Sequence, residues 1–197
     1  MEPVTATRLR IERLTGSAAD AEAVVGPLLN EYVRWCVDRL VEEGHDIGDP
    51  AEAVERHHAV FRAELPTLLG PRGRLLVAVR QSSGNGDGAV AGVGALKPVD
   101  AGTAEVKRMY VRPSARGQRA GRALLRRLLT DAAALGHREV RLETARFMTE
   151  ARELYRSLGF TETGPFAGNE AAVSGFEEHV VFLRLRLPDE RVLSSIE

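Results

Sequence analysis

The sequence predicts an α/β or α+β domain, that is, a mixed sheet covered by helices. Apolar residues occur in short runs typical of strands and at the longer spacing of amphipathic helices. Their order is strand, two helices, three strands, helix, strand, helix, strand. The chain has 197 residues, of which 44% are hydrophobic and 28% charged, the composition of a globular protein with a sizeable core. At this length one domain is expected, and a disordered chain, a collagen-like chain and a disulfide scaffold are excluded.

The first three elements precede a glycine- and proline-rich turn. Residues 9–14 mix apolar and charged side chains in a short run and predict a strand. Residues 17–43 show helical spacing, and Pro27 is expected to kink or restart this helix. After a turn-rich break, residues 51–65 predict a second helix that is closed by Pro66.

Five strands and two helices are predicted in the rest of the chain. Apolar runs mark the strands, and the polar stretch 82–88, with Asn-Gly and Asp-Gly pairs, is a predicted hairpin loop. One helix ends before Gly136, and the other is capped by Thr149 and ends before Gly159. The strands are 75–79, 89–96, 104–111, 139–143 and 178–187, and the helices are 117–135 and 149–158.

The net charge of −1 conceals one concentrated basic segment. From Val106 to Thr130 the chain carries eight basic and no acidic residues, whereas the remainder carries 19 basic and 28 acidic ones. This segment covers a predicted strand, a glycine-containing loop and the start of a helix. Its basic residues are Lys107, Arg108, Arg112, Arg116, Arg119, Arg122, Arg126 and Arg127.

The loop 116–121, with the sequence Arg-Gly-Gln-Arg-Ala-Gly, lies where a phosphate could bind. The first N–H groups of a helix have no intrahelical partner and carry partial positive charge, and glycine lets an anion approach the backbone. A charge run alone is more often a solvated helix face, but strand, glycine loop and basic helix together favour a phosphate-bearing ligand. The loop is neither a P-loop nor a dinucleotide fingerprint, because the spacing of both motifs is absent.

Two sequence motifs, one after the other along the chain, resemble motifs of the GCN5-related N-acetyltransferase (GNAT) family. The loop 116–121 is similar to its Q/R-x-x-G-x-G/A motif, which binds the pyrophosphate of acetyl-CoA, and Met109-Tyr110-Val111 is similar to the strand end that pairs with the pantetheine arm. Residues 151–160, which end in Leu-Tyr-Arg-Ser-Leu-Gly-Phe, are similar to its second signature. The resemblance is clear from residue 75 to 160. It implies a GNAT-like fold with a central mixed, mostly antiparallel sheet of about six to seven strands.

The resemblance also implies acetyl-CoA as cosubstrate, with no metal. Arg119 stands where the motif has its middle glycine, which is tolerable where the backbone is ordinarily helical, and Met148 replaces an asparagine that contacts the cofactor in some relatives. The implied cofactor-binding residues are Met109, Tyr110, Val111, Arg116, Gly117, Gln118, Arg119, Ala120, Gly121 and Arg122.

Acetyl transfer to an amine requires loss of an amine proton, polarisation of the thioester carbonyl and stabilisation of the departing thiolate. Tyr155 matches the family tyrosine near the CoA sulfur, although its apolar helical stripe fits core packing equally well. Glu105 and Glu143 match the base positions of two branches of the family, yet both equally fit solvent-facing strand residues, and a water chain competes with them. The resemblance assigns carbonyl polarisation to backbone N–H groups near Met109 and Tyr110.

The acceptor is expected to be a primary amine of a small molecule or peptide. One acetyltransferase domain, 1–197, is expected, in which residues 1–70 border the acceptor site and residues 74–187 form the cofactor-binding core. Residues 1–70 hold 13 acidic and 7 basic groups, which suggests a small cationic amine, while a solvated acidic helix pair is an equally good interpretation. The glycine-rich segment 164–175 is predicted to be a mobile flap beside the acceptor site. A homodimer is left open.

Several features bound the remaining possibilities. The single cysteine, Cys36, excludes a disulfide within the chain, and the sequence shows neither a signal-peptide pattern nor an apolar run of the ~20 residues that a membrane span needs. A cytoplasmic protein without membrane contact is therefore expected. The five histidines are scattered, which predicts no metal site.

Two other functions remain open at this point. A CoA- or acyl-CoA-binding protein of the same fold without efficient transfer is favoured by Arg119 alone. A nucleic-acid-binding module would need stacking aromatics near the basic helix, and only Tyr110 and Phe147 are available, so nucleic acid is an unlikely partner.

Overall fold

The computed structural model describes residues 9–81, 88–174 and 177–188. The predicted hairpin loop 82–88 lies outside these residues except for Gly88, as does Gly175 at the end of the predicted flap. All helices and strands predicted from the sequence are present, and two short elements are added. No helix in the described part of the chain is long and apolar enough to cross a membrane.

The elements alternate as the hydrophobic periodicity predicts. In the described part of the chain, seven strands and five α-helices are separated by turns and two short 3₁₀ helices, Pro113–Ala115 and Glu177–His179. The strands are β1 Leu9–Arg13, β2 Arg74–Arg80, β3 Val90–Pro98, β4 Thr103–Val111, β5 Glu139–Ala145, β6 Thr161–Thr163 and β7 Val180–Arg186. The helices are α1 Ala18–Glu42, α2 Pro50–Leu69, α3 Ala120–Ala134, α4 Thr149–Ser157 and α5 Glu170–Ser174.

The seven strands form one mixed sheet in the order β1-β2-β3-β4-β5-β7-β6. Strand β1 pairs antiparallel with β2, and β7 pairs antiparallel with both β5 and β6. Strand β4 pairs parallel with β5, and this register sets Glu105 opposite Arg141. The prediction of a mixed, mostly antiparallel sheet of six to seven strands flanked by helices is therefore confirmed.

The chain divides into two compact units. One comprises Met1–Ala95 and Arg108–Arg127, and the other comprises Leu96–Lys107 and Leu128–Glu197. In the first, α1 and α2 pack together, and their apolar faces join β2, β3 and β4 in one core. In the second, the inward residues of β5 and β7, such as Val140, Leu142 and Leu183, are almost completely buried.

Both prolines lie inside helices, so the predicted closure of the second helix at Pro66 is wrong and the first helix does not restart at Pro27. Helix α1 runs on through Pro27, and α2 runs through Pro66 to Leu69. A proline inside a helix removes one backbone hydrogen bond and clashes with the preceding turn. In α2 this cost is offset by tertiary burial, because Leu65 and Leu68 on either side of Pro66 are 1% and 0% exposed.

Three smaller differences concern the second unit. Strand β6 and helix α5, with three and five residues, are too short to show a periodic pattern and were not predicted. Thr149 is the first residue of α4, not its cap, because Met148 occupies the cap position without a side-chain hydrogen bond. The helix stop at Gly159 is as expected, and this glycine has the left-handed backbone of a C-terminal cap with φ +92°.

We predict opposite effects for two glycine-to-alanine substitutions. A Cβ at Gly73 would lie 2.0 Å from the carbonyl oxygen of Thr67, so Gly73→Ala should lower the free energy of unfolding by about 3 kcal/mol. Gly26 lies inside α1 with its nearest neighbour 3.9 Å from the new Cβ, so Gly26→Ala should raise it by about 1 kcal/mol. Urea unfolding of both variants measures the difference, and equal shifts would contradict the close contact at Gly73.

Candidate active site

A cluster of charged side chains lies between β4, β5 and α5. Arg141 on β5 donates from Nε to Oε2 of Glu105 on β4 at 3.1 Å, and its Nη2 forms an ion pair with the same oxygen at 3.1 Å. Lys107 lies on the same face of β4 as Glu105, because side chains alternate along a strand. Its Nζ is 2.8 Å from Glu170 and 3.9 Å from Glu105. All four side chains are largely removed from water.

Glu143 is the carboxylate of this cluster that has no arginine or lysine as a direct partner among the ion pairs of the described residues. Its Oε1 accepts from the backbone N–H of Glu170 at 3.1 Å, and its Oε2 accepts from Ala171 at 3.5 Å. Burial, followed by repulsion from Glu105 and Glu170, raises the pKa of Glu143 to about 7. The Ala171 N–H and the charge of Lys107 oppose this rise. Near neutral pH, Glu143 can therefore both bind and release a proton.

The described part of the predicted flap, residues 164–174, is docked on this cluster. The guanidinium of Arg141 lies 4.0 Å from the ring centroid of Phe166, and its Nη2 is 3.4 Å from the carbonyl oxygen of Ala167. Asn169 accepts from the N–H of Ala172 through its side chain and so caps α5. The segment thus closes one side of the carboxylate cluster.

Tyr155 is buried on α4, with an exposed fraction of 5%. Its ring packs against Phe160 at a centroid distance of 5.9 Å. Burial raises its pKa, so the hydroxyl stays protonated and can act only as a hydrogen-bond donor or a weak acid. Tyr155, Glu105 and Glu143 belong to the same compact unit, whereas residues 109–111 and 116–122 belong to the other.

The loop before α3 has an unusual backbone. Gly117 has φ +77°, and a Cβ built on it would have no atom within 4 Å. Arg119 has φ +61°, so the condition under which an arginine would be tolerable there, an ordinary helical backbone, is not met. An arginine in this left-handed conformation carries a cost of about 1 kcal/mol that glycine avoids. The family motif thus has glycine at a position where the backbone geometry favours it.

The basic segment is less available to a ligand than its charge predicts. Several of its basic residues pair with carboxylates of the protein itself, among them Lys107 with Glu170, Arg108 with Glu64, and Arg112 with Glu31. Arg116 lies over the ring of Trp35, 5.9 Å from its centroid, and its Nε is 3.4 Å from the carbonyl oxygen of Val111. The part next to the loop, from Arg116 to Arg122, remains the candidate for phosphate binding.

The acidic residues of the first 70 positions are mostly solvated. Glu42, Glu43, Glu52 and Glu55 are exposed and lie near arginines one or two turns away on the same helix, and Asp49 caps α2. This arrangement fits the interpretation of a solvated helix pair. The described residues contain no group of three or more His, Cys, Asp or Glu side chains placed to hold a metal ion.

Comparison with known proteins identifies the family. The sequence profile of the Acetyltransferase (GNAT) family matches residues 34–160. The chain is a member of the GNAT family. An "IAA acetyltransferase" from Azospirillum brasilense is 39% identical over 132 residues, which cover 66% of this chain and 80% of that protein. This GNAT protein is accordingly an acetyltransferase.

Solved structures share the fold of this GNAT protein. PaiA N-acetyltransferase from Thermoplasma acidophilum, determined in complex with coenzyme A, aligns with a TM-score of 0.66 and 16% identity over 91% of this chain and 99% of the other. A GCN5-related N-acetyltransferase from Kribbella flavida aligns with a TM-score of 0.59 and 25% identity over 91% and 98%. These alignments confirm the fold across nearly the whole chain.

Sequence reasoning singled out two carboxylates of this charged cluster but not their partners. The sequence singled out Glu105 and Glu143, and the structure places both in one charged cluster. Arg141, Glu170 and the Lys107–Glu170 ion pair were missed. Arg141 could have been found from its two-residue spacing to Glu143, which puts both on one face of β5. Glu170 lies in a five-residue helix that carries no comparable signal.

We predict that Glu143 makes the stability of the protein depend on pH. Its pKa of about 7 lies above the 4.5 of an unperturbed glutamate, so this proton stabilises the folded state below pH 4.5, and the contribution is lost as the pH rises through 7. Glu143→Gln cannot lose this proton. Its free energy of unfolding relative to wild type should therefore rise by about 2 kcal/mol between pH 5 and pH 8, a value reduced for partial exposure.

Urea unfolding at the two pH values measures this change. The matched control is Glu153→Gln, which replaces an exposed glutamate on α4 and should follow wild type at both pH values. If the difference between Glu143→Gln and wild type were the same at pH 5 and pH 8, Glu143 would not titrate in this range.

Proposed function

We propose that the protein transfers the acetyl group of acetyl-CoA to a primary amine of a small molecule or peptide by direct attack. The observation that carries this proposal is Glu143, a desolvated carboxylate with a pKa of about 7 inside a charged cluster. Such a group is matched to removing a proton from an ammonium near neutral pH. The similarity to an "IAA acetyltransferase" supports acetyl transfer, and the CoA complex of the Thermoplasma relative supports the cosubstrate.

The loop between β4 and α3 is proposed to hold the pyrophosphate. Gly117 has open space on its side-chain position, so an anion can approach the backbone there. The first N–H groups of α3 follow directly, and they lack partners within the helix. Arg116, Arg119 and Arg122 add positive charge. Residues 109–111 at the end of β4 are proposed to pair with the pantetheine arm.

Glu143 is proposed as the general base in preference to Glu105. The carboxylate of Glu105 already accepts a hydrogen bond from Nε of Arg141, lies 3.1 Å from Nη2 of the same guanidinium and has Lys107 close by, so its oxygens are engaged by two cations. Glu143 is held by backbone N–H groups alone, and so it can take the proton of the acceptor ammonium. The free amine then forms the new C–N bond as the C–S bond breaks.

Tyr155 is proposed as the acid that meets the departing sulfur. Its hydroxyl is kept protonated by burial, and it donates its proton to the thiolate. The nitrogen that has attacked still carries one extra proton, and this proton passes to the phenolate, which restores the tyrosine and leaves a neutral amide and a free thiol. A thiol has a pKa near 8.5, so the thiolate is a fair leaving group and this help is modest. Positioning of the two substrates is expected to supply most of the rate enhancement. A cytoplasmic location with free access to acetyl-CoA is part of the same proposal.

Acetyl-CoA binding and transfer test the function directly. Calorimetric titration should show binding of acetyl-CoA. A panel of polyamines, aminoglycosides, amino acids and peptides should then identify an acceptor through release of free thiol and a gain of one acetyl mass. Binding without transfer to any amine would instead favour the non-catalytic CoA-binding alternative. A preference for acidic acceptors would contradict the hypothesis of a cationic amine.

A matched pair of glycine variants tests the loop. Gly117 and Gly136 both have left-handed backbones, with φ +77° and +81°, and neither has an atom within 4 Å of a new Cβ. Gly117→Ala and Gly136→Ala should therefore have similar costs for folding. Only Gly117→Ala should weaken acetyl-CoA binding, by at least about tenfold, because its methyl group occupies the approach of the phosphate. Equal affinities for the two variants would place the pyrophosphate elsewhere.

The pH dependence of kcat/KM distinguishes the two glutamates. The wild-type value should fall as the pH drops through about 7, where Glu143 becomes protonated. Glu143→Gln should lose about a hundredfold in kcat and lose this acid limb. Glu105→Gln removes a negative neighbour that raises the pKa of Glu143, so it should retain activity and move the limb to lower pH. An acid limb that persists in Glu143→Gln and vanishes in Glu105→Gln would make Glu105 the base.

A further inference from the structure

One arginine in the middle of β4 has a left-handed backbone. Arg108 has φ +58°, and it and Arg119 are the two non-glycine residues with positive φ in the described part of the chain. In a strand this conformation interrupts the alternation of side chains, as in a β-bulge, and re-aims the residues that follow. A strained backbone of this kind persists only where its surroundings hold it, and such residues are concentrated at functional sites.

Helix α2 holds the side chain of Arg108. The guanidinium is 3% exposed and donates from Nη2 to Oε2 of Glu64 at 2.9 Å, and the carboxyl side chain of Glu64 is 9% exposed. Nη1 lies 2.8 Å from Nε2 of His57. Because a guanidinium has only donors, this imidazole nitrogen accepts the hydrogen bond. We call Arg108, Glu64 and His57 the arginine clamp.

The clamp also has an aromatic connection to the next residues of β4. Tyr32 on α1 packs edge-on against His57, with ring centroids 6.4 Å apart, and it packs against Tyr110 at 5.5 Å. Two helices thereby fix this part of β4. Helix α2 holds the guanidinium of Arg108, and α1 packs against the ring of Tyr110 two residues later. The backbone between them belongs to Arg108, Met109 and Tyr110.

Stability alone is a poor explanation for the clamp. Replacing a buried ion pair by apolar side chains is often neutral or stabilising, because the desolvation of two charges offsets their attraction. An arginine also fits the left-handed conformation worse than glycine does. The clamp is thus unfavourable both in the desolvation of its charges and in the backbone conformation of Arg108. A role in orienting the neighbouring backbone explains it better than a contribution to stability.

We propose that the arginine clamp is a positioning device that fixes the left-handed backbone at Arg108 and so directs the peptide N–H groups of Met109 and Tyr110 toward the thioester carbonyl. This inference rests on the proposed function. Arg108, Glu64 and His57 are inferred to act through this backbone, and so they are positioning residues. Their effect should appear in kcat, since fixed N–H donors act most strongly on charge that develops during the reaction.

Two double variants separate the backbone conformation from the side chain. Arg108→Gly/Glu64→Gln and Arg108→Ala/Glu64→Gln both remove the two buried charges, so neither leaves an unpaired one. Glycine adopts a positive φ freely, whereas alanine is driven out of it by its Cβ. The glycine variant should therefore retain a kcat at least about tenfold above that of the alanine variant, measured well below the melting temperature of both.

Arg108→Lys provides a second test that keeps a positive charge opposite Glu64. Lysine lacks the planar fork that contacts Glu64 and His57 together. Its kcat should fall at least about tenfold while the Kd for acetyl-CoA changes by less than about threefold. Equal kcat values for the glycine and alanine variants, or a wild-type kcat for Arg108→Lys, would overturn the proposal. Absence of acetyl transfer by the wild-type protein would instead overturn the proposed function.

Discussion

Strand β4 carries three charged side chains within four residues out of water, and the surrounding structure depends on their neutralisation. Glu105 and Arg108 are 4% and 7% exposed, and the side chain of Lys107 is 8% exposed. A charge without a partner would be too costly at this depth, so each one specifies what must pack against it. In one compact unit, β5 supplies Arg141 and α5 supplies Glu170. In the other, α2 supplies Glu64.

The neutralisation around Glu105 and Lys107 is incomplete, and this imbalance helps to raise the pKa of Glu143. Three carboxylates, those of Glu105, Glu143 and Glu170, face two cations, Lys107 and Arg141. The geometry assigns both cations to Glu105 and Glu170, which leaves Glu143 with backbone N–H groups only. The raised pKa of Glu143 expresses this excess of negative charge together with its burial. Binding of a proton by Glu143 near neutral pH reduces this excess of negative charge.

Features that depend on neighbouring residues could be predicted from the sequence, and those that depend on distant partners could not. Strand and helix periodicity located the elements, the order of two motifs pointed to the family, and strand positions matched to that family singled out both glutamates. Pro66 was misread because the burial of Leu65 and Leu68 outweighs a local rule. The eight basic residues were read as one ligand site, whereas Arg108 and Arg112 pair with carboxylates 44 and 81 residues away. Charge counted along the chain does not show such pairing.

The two left-handed arginines differ in what holds them. Arg108 is buried, and α2 fixes its side chain, whereas Arg119 is exposed and its guanidinium makes no hydrogen bond or ion pair within the described residues. At Arg119 a glycine would relieve about 1 kcal/mol of backbone strain. A charge-assisted hydrogen bond contributes about 1.5–3 kcal/mol, so one contact between Arg119 and a phosphate would more than offset that strain. For a chain that binds CoA, the arginine at the glycine position of the motif is then consistent with phosphate binding, and it gives no reason to assign the protein a non-catalytic role.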